Sequence, residues 1–271
     1  MAQRTVLITG STDGVGRLVA RRLAADGDTV LIHGRDRARG GQLLEQIRGS
    51  GGAAQFYPAD LSVLAEVRAL AAAVRHDHQR LDLLINNAGI GSAMPPGRQL
   101  SADGHELRFA VNYLAGYVLT RELLPLLKDS RPARIVNVSS LGQQAIDFAD
   151  VMLGSGYSGT RAYCQSKLAQ IMFTIDLAAE LQGSGVTATC LHPATYMDTT
   201  MVRAGGIAPM STVEEGADAI MQLAAAPALE GRSGLYFNGL HEARANAQAY
   251  DAKARERLRA LSDRLAGYAT A

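Results

Sequence analysis

Short aliphatic and β-branched runs alternate with longer amphipathic stretches along most of the chain. The runs at 5–9, 29–33, 55–58, 81–86, 134–139, 186–192 and 234–238 predict strands. Helical spacing of apolar positions predicts helices over stretches such as 15–25, 37–48, 63–76 and 162–182. Strands of four to seven residues separated by helices imply parallel pairing through right-handed crossovers. Several of the runs are apolar at every position rather than at alternate ones, as expected when helices cover both faces of a sheet. The pattern predicts an α/β fold: one doubly wound Rossmann-type domain over residues 1–271, with a parallel sheet of about seven strands. From Ala247 onward, Leu258, Leu261 and Leu265 recur at helical spacing among mixed charges, which predicts an amphipathic terminal helix with a solvated outer face.

Composition narrows the function classes. Twenty-seven basic residues against 26 acidic ones leave a formal net charge of +1, so no global field favours nucleic acid or an anionic membrane. Cys164 and Cys190 are too few for a disulfide framework, and no metal site is expected. The N-terminal apolar run is too short for a signal peptide or a membrane span, so a cytoplasmic protein without a membrane partner is expected.

The first predicted strand runs into Thr9-Gly10-Ser11-Thr12-Asp13-Gly14-Val15-Gly16, which opens a helix. Gly10 permits a tight turn, Gly14 lets the backbone approach a pyrophosphate, and Gly16 allows close packing of helix on strand. The whole segment 10–16 is then a phosphate cradle at a helix N-terminus. The second strand ends at Gly34, where a carboxylate would read the ribose of NAD, and Arg35 follows, which favours the 2′-phosphate of NADP. Asp13 and Asp36 are acidic neighbours that work against that preference.

Further polar segments fall at later strand ends: Asn86-Asn87-Ala88-Gly89, Asn137-Val138-Ser139-Ser140 and His192-Pro193-Ala194-Thr195. Tyr163 and Lys167 lie one helical turn apart. Thr-Gly-x-x-x-Gly-x-Gly, Asn-Asn-Ala-Gly, the upstream Ser and Tyr-x-x-x-Lys, in this order over about residues 5–200, resemble the short-chain dehydrogenase/reductase family. The stretch 162–174 and the tail motifs Glu242-Ala243-Arg244 and Gln248-Ala249-Tyr250-Asp251 look like its retinol-dehydrogenase-like branch.

The resemblance implies an oxidoreductase interconverting a ketone or aldehyde and its alcohol, with NADP(H) favoured over NAD(H). Tyr163 would be the acid/base, Lys167 the ammonium that lowers the phenol pKa and binds the ribose, Ser140 the substrate clamp, and Asn112 the support of a relay water. Asp60 and Leu61 would meet the adenine. Asn87, Ala88 and Gly89 would flank the ribose, and Pro193 and Thr195 the nicotinamide end, although the family's usual Pro-Gly is Pro-Ala here. A dimer or tetramer through the helices carrying Asn112 and Tyr163 is implied by the family, while the charged tail is equally compatible with a monomer. Two rivals share the motifs: a non-redox isomerase, epimerase or dehydratase, and a non-catalytic dinucleotide-binding regulator. Between Ser140 and Tyr163, Phe148, Met152, Leu153 and Tyr157 suggest an apolar pocket wall, and Met201, Val202 and Ile207 a second one. Both hints point to a bulky apolar substrate. His192 is expected to be structural.

Overall fold

The computed structural model describes residues 3–93 and 95–269. One sheet organises them, in the order β3-β2-β1-β4-β5-β6-β7-β8. Its strands are β1 (Thr5–Ile8), β2 (Thr29–Gly34), β3 (Ala53–Pro58), β4 (Leu83–Asn86), β5 (Ala133–Val138), β6 (Val186–His192), β7 (Leu235–Asn238) and β8 (His241–Ala243). The first seven are parallel, and β8 returns antiparallel along β7. The seven predicted strands are all present. The eighth is an addition, a three-residue polar edge strand with no apolar periodicity to betray it.

The helices are α1 (Gly14–Ala25), α2 (Arg37–Gly49), α3 (Leu64–Asp77), α4 (Leu107–Phe109), α5 (Ala115–Asp129), α6 (Gly159–Glu180), α7 (Thr200–Ala204), α8 (Val213–Ala225) and α9 (Ala252–Ala266). Alternate residues of each central strand feed two cores. Leu7, Leu31, Leu84 and Ile135 face α3, α5, α6 and α9, whereas Val6, Ile8, Val30 and Ile32 face α1, α2 and α8. This two-sided burial is why those strands read as unbroken apolar runs. None of the described helices is long and apolar enough to cross a membrane.

Strand order reverses between β1 and β4, and open parallel sheets bind ligands at the carboxyl ends beside such a switch point. Between α4 and α5 the chain forms a π-helical turn, Ala110–Leu114, which carries Asn112. Such turns are rare and recur near functional sites.

The terminal helix α9 is amphipathic as predicted, with Leu258 buried and its N-terminus capped by Asp251. Its inner face lies on the outer side of the helices that carry Asn112 and Tyr163. Tyr113 bonds Ser262, the Tyr117 hydroxyl donates to Asp263 and Arg259 pairs with Asp176 at 2.9 Å.

Candidate active site

At the carboxyl edge of the sheet lies a cavity of about 1060 Å³. Its floor carries the cradle: Gly10, Thr12, Asp13, Gly14, Val15 and Gly16. Gly10 and Gly14 have φ of +64° and +53°, in the left-handed region that favours glycine. A Cβ on Gly16 would stand 2.3 Å from the Gly10 carbonyl oxygen, so a side chain there would force helix and turn apart. The turn is locked from both sides. The buried His33 imidazole accepts from Gly10 N at Nδ1 (3.1 Å), so its proton sits on Nε2, facing the Ala59 carbonyl. Burial pushes this histidine down to about 4, and it stays neutral. Asn87 Nδ2 donates to the Thr9 and Gly10 carbonyls, and Thr9 Oγ1 accepts from Asn87 N and Ala88 N. Open backbone at a helix N-terminus, kept clear of Cβ atoms, fits the pyrophosphate of a dinucleotide.

Ser11 does not reach the cavity. It is fully buried and exchanges hydrogen bonds with the backbone of His33, so it ties the cradle to β2 rather than facing a ligand.

Arg35, Asp60, Leu61, Asn87, Ala88 and Gly89 line the adjoining stretch. The Arg35 guanidinium is largely exposed and 3.5 Å from the Asp60 carboxylate. The two acids that opposed an NADP preference are already engaged. Asp13 caps α1 through Gly14 N and pairs with Arg39 at 2.9 Å, and Asp36 caps α2 through Arg39 N and pairs with the same guanidinium at 3.4 Å. Arg39 went unnoticed in the sequence because only folding brings it against Asp13.

On the substrate side, Ser140, Tyr163 and Lys167 line the same cavity. The Ser140 hydroxyl accepts from Gly142 N and its carbonyl accepts from the Tyr236 hydroxyl, which fixes the strand end. Lys167 Nζ lies 5.8 Å from the Tyr163 ring centroid and donates to the Val138 carbonyl and Gln170 Oε1, each at 2.9 Å. Burial lowers this amine to about 7. Burial also raises the Tyr163 phenol, and the Ser140 hydroxyl only partly offsets it. This departs from the lowered phenol pKa that the motif implies. The ammonium sits beside the ring, held by its two acceptors, and desolvation dominates at the hydroxyl.

Asn112 lies behind this pair. Its Oδ1 accepts from Ile90 N, and its Nδ2 donates to the Ile90 carbonyl and Ser166 Oγ, so the side chain pins the loop after Gly89. Pro193 and Thr195 line the cavity, but the Thr195 hydroxyl is spent on His192 Nε2 at 3.0 Å. Burial and the nearby Lys167 push His192 down to about 4, which makes it a neutral structural partner. Among the threonines after Pro193, Thr199 is the one against the cradle, 3.3 Å from the Cβ position of Gly14.

The two apolar walls fared differently. Met201, Val202 and Ile207 line the cavity, joined by Leu141. Phe148, Met152, Leu153 and Tyr157 do not. Phe148 packs under Arg257, Leu153 is fully buried, and the Met152 carbonyl accepts from Arg98. Tyr157 accepts from Arg108 Nη1 at 2.6 Å and donates to Glu106. Arg108 is the hub that sequence reasoning missed. Completely buried, it also donates to the carbonyls of Gly91, Ser92 and Pro95, which form the cavity's opposite rim. The stretch 148–157 is therefore a strut bracing that rim: its apolar groups turn away from the cavity, and Tyr157 holds the rim through Arg108.

The comparisons agree with this geometry. The family model for short chain dehydrogenases matches residues 4–206. Retinol dehydrogenase 13 of Mus musculus is 36% identical over 99% of this chain and 85% of its own length. The crystal structure of an uncharacterized protein from Mycobacterium paratuberculosis superposes with a TM-score of 0.82 at 31% identity, covering 98% of this chain and 94% of that one. The Pseudomonas aeruginosa RhlG/NADP active-site complex gives 0.70 at 28% identity, covering 88% and 95%. With the family model spanning residues 4–206 and a relative 36% identical across nearly its whole length, the chain belongs to the short-chain dehydrogenase family, oxidoreductases that bind NAD(P) and act on CH–OH donors.

Proposed function

We propose that the protein is an NADP(H)-dependent oxidoreductase interconverting a bulky, largely apolar ketone or aldehyde and its alcohol. The observation that carries this reading is the shared cavity, in which the cradle, Ser140, Tyr163 and Lys167, and an apolar wall of Leu141, Met201, Val202 and Ile207 meet. When bound, the nicotinamide supplies or takes the hydride. The Tyr163 hydroxyl gives a proton to the substrate oxygen in reduction and takes it back in oxidation. Ser140 holds that oxygen beside the phenol. Lys167, while charged, favours the phenolate, and Asn112 keeps the loop after Gly89 in place around both. Intact Ser140, Tyr163 and Lys167 argue against a non-catalytic regulator.

Two observations support NADP. Arg35 is free enough to swing onto a 2′-phosphate, and Arg39 neutralises both nearby acids. Calorimetry of NADPH and NADH binding, with wild type beside Arg35→Ala, tests this. Tighter NADPH binding is expected in the wild type, with at least about a tenfold loss of that preference in the variant, the scale of a charge-assisted contact. Equal binding of both cofactors by the wild type would refute the preference.

The position of α9 favours a monomer. It covers the helix faces on which a family-type dimer or tetramer would be built. Sedimentation velocity is expected to give a single species at the mass of one chain, and a stable dimer would show that another face assembles.

A further inference from the structure

Behind the Tyr163–Lys167 pair lies a second cavity with room for a single water, lined by Thr9, Asn86, Asn112 and Gln170 among others. Gln170 belongs to none of the motifs named above. It is buried one turn beyond Lys167 on α6, and its Oε1 accepts from the lysine Nζ at 2.9 Å. That bond orients the amide: the oxygen faces the ammonium, and the NH2 group is turned away from it. Asn86 is also buried. Its Nδ2 donates to Thr120 Oγ1 at 3.0 Å and Asn137 Oδ1 at 2.8 Å, which leaves Oδ1 as an acceptor without a partner. Asn137 Nδ2 donates to Thr174 Oγ1, which in turn donates to the Gln170 carbonyl. The chain Asn86–Asn137–Thr174–Gln170 thus joins two residues of the cavity wall. An orphan acceptor on one residue and an amide NH2 group on another are what a bridging water requires.

We propose that Gln170 is a positioning residue for Lys167, holding its ammonium through Oε1, and that Gln170 and Asn86 together bind one water that closes this buried polar ring. The inference rests on the reading of Tyr163 and Lys167 as the acid/base pair. Gln170 and the Val138 carbonyl are the acceptors that favour the charged amine against its burial. The titratable groups facing Lys167 are Tyr163 on its own helix and the neutral His192 at the end of β6. From the end of β5 come the Val138 carbonyl and the adjoining Ser139, whose hydroxyl donates to the Lys167 carbonyl, and the 86–90 loop approaches at Gly89, whose Cβ position is 3.5 Å from Lys167 Nζ. With no carboxylate among these groups, the Gln170 amide weighs heavily in setting the charge.

The test is the pH profile of kcat/KM for wild type, Gln170→Met and Gln170→Asn. The methionine nearly keeps the volume but removes the acceptor. It is expected to move the alkaline limb down by about one pH unit and to lower kcat several-fold with little change in KM. The asparagine keeps amide chemistry on a shorter stem and is expected to return part of the way. Superimposable profiles in the three proteins would overturn the positioning role while leaving the oxidoreductase reading intact, since wild-type turnover tests that separately. A high-resolution crystal structure is expected to show water density between Asn86 and Gln170, and a dry cavity would overturn the water site.

Discussion

Tyr163→Phe is expected to cut turnover by about 10²–10⁴-fold, the usual contribution of a positioned acid/base, while leaving cofactor affinity within a few-fold of wild type. The substitution removes one hydroxyl and keeps the ring that packs beside Lys167. The cradle that would hold the pyrophosphate is built from Gly10, Gly14, Gly16, His33 and Asn87, none of which depends on that hydroxyl. Activity and binding should therefore separate. Measuring both on the same preparation checks this, and a variant retaining more than about a tenth of wild-type turnover would remove Tyr163 from the proton path.

Lys167→Met makes the second large change, and its signature lies in stability as well as rate. The buried amine has its pKa lowered from 10.5 to about 7. Below the folded value, the native state must keep an ammonium in a site that disfavours it, and this cost is fully present. As pH rises from about 7 towards 10.5 the folded protein has already released the proton and the unfolded chain releases it too, so the cost fades. A shift of that size corresponds to a few kcal/mol. Losing the donor to the Val138 carbonyl and Gln170 offsets part of the gain, by about 1–3 kcal/mol. The decisive quantity is the difference in Tm between variant and wild type. It is expected to favour the variant most near pH 6 and to shrink steadily towards pH 10. A difference that stays constant or grows with pH would contradict the buried-amine account. Turnover of the variant should fall sharply across the same range, a stability gain set against lost function.

The cradle turn and the pairing of Tyr163 with Lys167 were legible because backbone geometry dictates them. Gly10, Gly14 and Gly16 stand where a Cβ would collide or φ turns positive, and Tyr163 and Lys167 share a helix face by spacing alone. The seven parallel strands were legible because burial on both faces makes them uniformly apolar. What stayed hidden depended on tertiary direction. Phe148 and Leu153 read as pocket lining, yet local hydrophobicity does not say towards which core a loop side chain turns. Nothing in the chain marks Arg108 as a fully buried hub, since its partners are carbonyls brought in by folding. The same holds for Arg39 on Asp13, and for Gln170, whose importance appears only once Lys167 Nζ is found against it. The Ser11 assignment erred for a related reason: a residue inside a ligand-binding turn can point its side chain into the protein.

The chemistry proposed for this cavity is net hydride transfer between a nicotinamide and a bulky apolar carbonyl or alcohol. Its most direct test incubates the wild-type protein with NADPH and a panel of bulky apolar aldehydes, recording nicotinamide absorbance and alcohol product in the same samples. NADPH oxidation in one-to-one proportion with alcohol formed is expected for at least one member of the panel. Conversion of substrate with no net change in the nicotinamide, or cofactor binding with no turnover of any aldehyde or alcohol, would contradict it.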